Sequence, residues 1–139
     1  TALNDLAWCT YETAASTADY EAALAIADRG VKLAPENPYL PDTRGEILAK
    51  LPGRLDDART DFQKRLELVA QDDSARAETL RKLAGICLDL NDAEAGQRHL
   101  DELERIHRNN SDAISDQERE LLAKLQQRVA KEQGGRGGG

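Results

Sequence analysis

The residues that could bind a metal ion are few, and their spacing argues against a shared site. The two histidines, His99 and His107, lie eight residues apart on one predicted helix. Side chains on one helix meet at separations of three or four residues, so these imidazoles are too far apart to share an ion. His99 and Glu102 are three residues apart and could approach a metal together, but such pairs are common on helix surfaces. We therefore expect no metal site and no cofactor.

The sequence also lacks the residue patterns needed for covalent or acid–base catalysis. Neither Cys9 nor Cys87 belongs to a Cys-x-x-Cys motif, and neither has a histidine placed by the sequence to activate its thiol. Each lies in an apolar helical pattern, so we expect two buried, reduced thiols and a cytoplasmic location. The chain has no glycine-rich phosphate loop, and its carboxylates are typical of solvated helix faces and helix caps. We therefore expect a protein that is not an enzyme.

Composition favours helices and argues against two classes of partner. Of 139 residues, 40% are apolar and 32% are charged, yet aromatic residues contribute only 4%. The apolar share is mostly alanine and leucine, which are helix formers, so composition predicts an all-α fold. The net charge of -7 is spread along the chain, and an acidic surface repels the phosphates of nucleic acids and of anionic membranes. The longest apolar run, residues 22–27, is far shorter than the roughly 20 residues of a membrane-spanning helix.

Apolar residues recur with the helical period of about 3.6 residues and predict seven helices separated by turn residues. The first four are expected at about residues 2–15, 16–34, 41–51 and 55–70. Asp72 or Asp73 is expected to cap the fifth, Asn91 the sixth, and Ser115 the seventh, which covers residues 115–132. Leu6 and Ala7 are expected to lie together on the buried stripe of the first helix. The tail, residues 134–139, is rich in glycine and is expected to be a flexible linker rather than an RNA-binding segment.

The predicted helices pair into hairpins that repeat along the chain. Their linkers are only a few residues long, which makes neighbouring helices antiparallel. The small residues Ala23, Ala58 and Gly96 fall at one place in the second helix of successive hairpins, with spacings of 35 and 38 residues. A period in this range is typical of a solenoid.

The repeats resemble tetratricopeptide (TPR) repeats, which are helix-turn-helix units of about 34 residues. The matching residues are Leu6, Ala7, Tyr20, Ala23 and Pro35 in the first repeat, Gly45, Leu48, Ala58 and Phe62 in the second, and Leu80, Leu83, Ala84 and Gly96 in the third. The resemblance implies an α-solenoid with a right-handed superhelix, with repeats at about 1–36, 37–72 and 73–110, a capping helix at 115–132, and one domain over 1–133. The chain departs from the motif in four ways. Its first repeat is longer, its second repeat contains Pro52, and repeats two and three lack the closing proline. Arg44 also stands where the motif usually has leucine.

The resemblance also implies a groove lined by the first helix of each hairpin, where the family binds peptides. The motif positions map the groove onto Asn4, Trp8, Tyr11, Glu12, Tyr39, Asp42, Glu46, Lys50, Glu78, Arg81, Lys82, Gly85 and Asp89. Trp8 lies off the core stripe, and it either anchors a peptide or packs against the lengthened turn of the first repeat. The chain does not match the subclass that binds a C-terminal carboxylate, because Asn4, Trp8, Thr43 and Glu78 replace lysines and asparagines of that pattern. We therefore expect a mixed-charge peptide or protein ligand with apolar anchors.

Two kinds of partner remain open at this point. The first is another protein, bound in the groove by a module of a larger protein. The second is a further copy of the chain, paired through the apolar face of the seventh helix, which carries Leu121, Leu122, Leu125 and Val129. Light scattering at high concentration separates these possibilities.

Overall fold

The computed structural model describes residues 1–137, with side chains to residue 135, and over this range the secondary structure is entirely helical. The helices are α1 (Ala2–Glu12), α2 (Thr17–Leu33), α3 (Tyr39–Lys50), α4 (Leu55–Leu68), α5 (Asp73–Asp89), α6 (Ala93–Asn109) and α7 (Asp116–Gly137), with a short 3-10 helix at Ser111–Ala113. The all-α fold class is therefore confirmed.

Side-chain caps start three of the helices, α2, α5 and α7, where the sequence predicts them. Ser16 accepts a hydrogen bond from the Asp19 N–H at 3.2 Å, Asp72 accepts one from Ala75, and Ser115 accepts one from Glu118 at 3.2 Å. The predicted cap of α6 is wrong, because Asp92 and not Asn91 accepts the hydrogen bond from Ala95. Asn91 has a φ of 60°, a left-handed conformation that asparagine tolerates better than most residues, and it forms the turn that precedes the cap.

Four helix ends differ from the predicted bounds by more than a residue. Helix α4 ends at Leu68 rather than near residue 70. Helix α1 ends at Glu12 rather than near residue 15, because the Asp19 carboxylate accepts a hydrogen bond from the Ala15 N–H at 2.9 Å and holds this segment as a turn. Helix α3 begins at Tyr39, two residues before Pro41, with Pro38 at its N-cap. Helix α7 includes residues 134–137 of the predicted tail, since glycine costs a helix only about 1 kcal/mol relative to alanine and leaves its hydrogen bonds intact. Residues 138 and 139 of that tail lie outside the described residues.

The turn between α1 and α2 gives an acid-sensitive contact. The hydrogen bond from the Ala15 N–H, followed by that from Ser16, lowers the pKa of Asp19 below its ordinary value of 3.8. A lowered folded-state pKa means that the contact stabilises the fold above the unfolded-state pKa and is lost as the pH falls through the folded-state value. We expect Asp19→Asn to lower the urea midpoint near neutral pH, with the difference from the parent chain shrinking below about pH 4.

Circular dichroism during urea titrations at several pH values measures this effect. Glu21→Gln is the matched control, because it removes one charge from the same helix and leaves the Ala15 hydrogen bond in place. A gap between Asp19→Asn and the parent that stays constant down to acid pH contradicts the prediction.

The chain divides into two compact units, residues 1–68 and residues 69 onward. The first unit contains α1 to α4, and α3 packs against both α1 and α2. Its core includes a cluster of small and aliphatic residues, namely Ala7, Ala23, Ala27, Ile47 and Leu51. Small residues let the helices approach closely here, as the repeat pattern predicts. A Cβ built on Gly45 would lie 2.8 Å from Cζ of Phe62, so this glycine makes room for the ring.

Two residues expected in the core of the first unit are exposed instead. Leu6 is 53% exposed and Cys9 is exposed, although both belong to the apolar pattern of α1. Helix α1 contacts α2 and α3, and these contacts bury Ala7 but leave the outer side of α1 uncovered. The expectation of a buried Leu6 and a buried Cys9 is therefore wrong, whereas Cys87 is buried as predicted.

The second unit contains the α5–α6 hairpin, and α7 packs against both of its helices. Leu122 and Val129 of α7 are buried, while Leu121 and Leu125 are partly buried. Helix α7 thus contacts its hairpin in the same way as α3 contacts the hairpin of α1 and α2. None of the helices within residues 1–137 has both the length and the apolar character needed to cross a bilayer.

Candidate protein-binding surface

In the first unit, part of the predicted groove is used to join the helices. The Thr43 hydroxyl on α3 donates a hydrogen bond of 2.7 Å to the side-chain oxygen of Asn4 on α1. Asp42 forms a buried ion pair with Arg65, which links α3 to α4. The motif mapping predicts that Asn4 and Asp42 contact a partner. In the structure, their side chains instead connect helices within the unit.

Three aromatic residues of α1 and α2 form a continuous row. The Trp8 ring centroid lies 5.2 Å from that of Tyr11, which lies 5.9 Å from that of Tyr20. Tyr11 and Tyr20 are half-buried against the core cluster, whereas Trp8 at the end of the row is 36% exposed. Trp8 is thus supported on one side by Tyr11, and about a third of its surface is open to solvent.

Of the remaining predicted residues of the first unit, Glu12 is exposed at the end of α1 and the others lie along α3. Tyr39 begins the helix and is 62% exposed, Glu46 is half-buried, and Lys50 is exposed at the last residue of the helix. Of the predicted set, Trp8, Glu12, Tyr39 and Lys50 are therefore the exposed residues in this unit.

In the second unit, α7 contacts the face of α5 that the motif assigns to the groove. Arg81 donates to Glu118 of α7 at 2.6 Å, and Asp89 accepts a hydrogen bond of 2.7 Å from Arg128 of α7. Between them, a Cβ built on Gly85 would lie 3.9 Å from a methyl group of Leu125. These three positions are four residues apart on α5, so α7 follows one face of that helix.

The other two predicted residues of the second unit pair with each other. The Lys82 ammonium lies 2.9 Å from the Glu78 carboxylate one turn away on α5. Glu78, Arg81 and Lys82 are therefore all engaged in ion pairs within the unit, and the first unit has the more open surface.

Sequence reasoning missed a partly buried ionic cluster around Arg44. This guanidinium donates two hydrogen bonds of 2.7 Å to the two oxygens of Asp61 on α4 and one of 3.1 Å to Asp28 on α2. Hydrogen bonding by Asp61 raises the pKa of Arg44 above its ordinary value, against the opposing effect of burial. The signal was present in the sequence, because Arg44 replaces the leucine of the repeat motif.

The Arg44 cluster lines one wall of a polar cleft of about 230 Å³, whose rim includes Arg54 and Asp57. Arg54 and Asp57 are 2.6 Å apart and pair with each other, as Arg44 pairs with its two aspartates. The lining contains two arginines and three aspartates, and the ion pairs of Arg44 with Asp28 and Asp61 connect α2, α3 and α4. No group of three or more potential metal ligands occurs among the residues described.

These hairpins of close-packed helices define an all-α helical-repeat protein. No family model matches the chain. Among curated proteins, the chain is similar to the TPR repeat-containing thioredoxin TTL4 of Arabidopsis thaliana, with 42% identity over 83 residues. The matched region is 59% of this chain and 11% of that protein, so the chain spans only a small part of its relative's length. The similarity, together with the helical hairpins, fits a TPR-like protein.

Proposed function

We propose that this chain is a protein-interaction module of three TPR-like repeats and a capping helix, that it belongs to a larger protein, and that it catalyses no reaction. The observation that carries the proposal is the exposed aromatic surface of the first unit, where Trp8 is held by Tyr11 on a scaffold of packed helices. Tryptophan and tyrosine supply much of the binding energy in protein interfaces. The TPR repeats named in the relative support the same class of function. A cytoplasmic location stays a prediction.

The arrangement suits binding because the aromatic row is ordered before a partner arrives. Tyr11 and Tyr20 pack on the core cluster and on each other, and Tyr11 contacts one side of the Trp8 ring. A side chain that is already immobilised loses less entropy on binding than a mobile one. A partner that covers the exposed part of the Trp8 ring therefore gains apolar burial at a low ordering cost.

Two experiments together test the proposed function. Peptides are selected from a displayed library, and the chemical-shift changes that the selected peptides cause in the chain are then mapped. We expect selected peptides to shift the indole resonance of Trp8 and the backbone resonances of α1 and α3. The proposal fails if no peptide binds above background, or if the shifts fall on other surfaces of the chain and leave Trp8 unchanged.

Trp8→Ala separates binding from stability. We expect this substitution to lower the affinity for a selected peptide at least about tenfold, which corresponds to about 1.4 kcal/mol, because the anchor is lost. The fold should lose about 1 to 3 kcal/mol, because the contact with Tyr11 and part of the apolar burial of the ring are lost, although the ring is not enclosed by the core. Titration calorimetry and thermal melting measure the two effects.

Leu33→Ala is the control for Trp8→Ala. Leu33 is 73% exposed and lies at the end of α2 beside Thr1 and Leu3, so its removal takes apolar surface away from a different place. Peptide affinity should not change in this variant. A large fall in melting temperature for Trp8→Ala, with unchanged affinity, assigns Trp8 to the fold instead of the binding surface.

The proposal includes a monomeric domain, although self-assembly through α7 is the alternative. Leu122 and Val129 already pack within the second unit, so pairing of two chains through this face requires α7 to leave its hairpin. We expect multi-angle light scattering to give the mass of one chain, 15.3 kDa, at high concentration. A dimer that Leu122→Asp abolishes without unfolding the chain favours the alternative.

A further inference from the structure

Residues 1–28, which form α1 and most of α2, carry negative charge and no positive side chain, whereas Arg29 and Lys32 lie near the end of α2. Residues 1–28 include five acidic residues, namely Asp5, Glu12, Asp19, Glu21 and Asp28, but no lysine, arginine or histidine. Two of these carboxylates are engaged locally, because Asp19 accepts the Ala15 N–H and Asp28 accepts a hydrogen bond from Arg44. This N-terminal part of the chain thus differs from the mixed-charge composition of the chain as a whole.

Asp5 and Glu12 lie on the same face of α1 as Trp8. The three residues are spaced i, i+3 and i+7, which places them in one row along a helix. All three are exposed, and within the described part of the chain neither carboxylate has a hydrogen bond or ion pair. We call these three residues the α1 strip.

The Trp8 ring adds an observation that is independent of the charges. An indole ring is electron-rich on its face and attracts a cation, most often the guanidinium of arginine. Because Tyr11 lies against Trp8 at 5.2 Å and the indole remains 36% exposed, the strip presents a supported ring between two carboxylates. This is the chemistry that recognises a positively charged side chain with a flat, weakly hydrated head.

We propose that the α1 strip binds an arginine-containing segment of a partner protein, with a guanidinium stacked on Trp8 and basic groups paired with Asp5 and Glu12. The inference rests on the proposed interaction function and names the class of ligand. An apolar segment would cover the two carboxylates without giving them partners, which is unfavourable, and an acidic segment would be repelled. A basic segment satisfies all three groups.

The length of the strip sets the spacing of the basic residues. Asp5 and Glu12 are separated by seven residues, or about 10 Å along the helix axis. In an extended polyproline segment, residues three apart lie on one side at a separation of about 9 Å. The strip therefore fits a segment with an Arg-x-x-Arg spacing.

A labelled proline-rich peptide containing Arg-Pro-Pro-Arg tests the proposal against the whole 139-residue chain. Two matched peptides replace both arginines, one with neutral citrulline and one with glutamate. Fluorescence anisotropy should detect binding of the arginine peptide and at least about tenfold weaker binding of the other two. The affinity should fall as salt is raised from about 20 to 200 mM, because the exposed charges are then screened.

Variants of the chain locate the binding. We expect Asp5→Asn and Glu12→Gln each to lower the affinity for the arginine peptide by about three- to tenfold, and Trp8→Ala to lower it by at least about tenfold. Glu21→Gln is the matched control, since it removes the same charge from the same hairpin but not from the strip, and it should leave the affinity unchanged. An equal loss in Glu21→Gln shows diffuse attraction and overturns the assignment to the strip.

The result also separates this inference from the proposed function. If library selection yields peptides that bind at Trp8 but are neutral or acidic, the cationic ligand is wrong and the interaction function stands. If neither the library nor the arginine peptide binds at this surface, both proposals are wrong. Equal binding of the arginine and citrulline peptides likewise overturns the cationic ligand alone.

Discussion

Replacement of Arg44 by leucine is expected to lower the free energy of unfolding by about 3 to 5 kcal/mol, although leucine is the usual residue of the motif at this position. Arg44 compensates the buried carboxylate of Asp61 through two hydrogen bonds of 2.7 Å. Without the guanidinium, Asp61 is buried with its charge unpaired, and its desolvation is no longer offset. Urea denaturation followed by circular dichroism gives the loss directly.

The double variant Arg44→Leu with Asp61→Leu identifies the cause. Replacement of a whole buried ion pair by apolar residues is often close to neutral, whereas removal of one partner is costly. We therefore expect the double variant to recover most of the stability lost in Arg44→Leu. If the double variant is as unstable as the single one, the loss comes from packing around Arg44 rather than from the uncompensated carboxylate.

Phe62→Ala is expected to destabilise the chain by about 3 to 5 kcal/mol. Phe62 is only 1% exposed and is the largest fully buried side chain in the described structure. Its removal leaves a cavity that the surrounding helices cannot completely fill, so both transfer free energy and packing contacts are lost. The measurement is again the urea midpoint, taken near neutral pH.

A companion substitution tests the fit between Phe62 and α3. A Cβ at position 45 would meet the Phe62 ring at 2.8 to 3.0 Å, so Gly45→Ala should destabilise the parent chain. The same change should cost less when Phe62 is already replaced by the smaller leucine. Equal costs in the two backgrounds would mean that the ring and Gly45 are not coupled.

The helices and their pairing could be predicted because they depend on local sequence. Apolar periodicity and capping side chains such as Ser16 and Ser115 act within a few residues, and small residues such as Ala23 mark helix crossings. Where two caps compete, as at Asn91 and Asp92, the pattern does not show which backbone conformation is adopted. That choice depends on the turn that follows α5, where Asn91 takes a left-handed φ.

The surface was harder to predict, because exposure depends on which helix packs where. The apolar pattern of α1 does not reveal that Leu6 lies on an uncovered side. The motif positions on α5 indicate a groove, but they do not show that α7 pairs with Arg81 and Asp89. Trp8 was found because an aromatic residue off the core stripe is a local signal, whereas the ion pair of Asp42 with Arg65 needs two helices in place.

The Arg44 cluster also bears on how a repetitive chain chooses the correct neighbours. Hairpins with similar apolar faces can dock in the wrong order, which is a common misfolding route for repeat proteins. The Arg44 guanidinium pairs with carboxylates on α2 and α4, so it favours the correct packing of α3 between these two helices, where Asp28 and Asp61 supply its partners. A design that restores leucine at residue 44 and leaves these aspartates in place would remove this specific pairing and keep the desolvation cost of the buried Asp61 carboxylate.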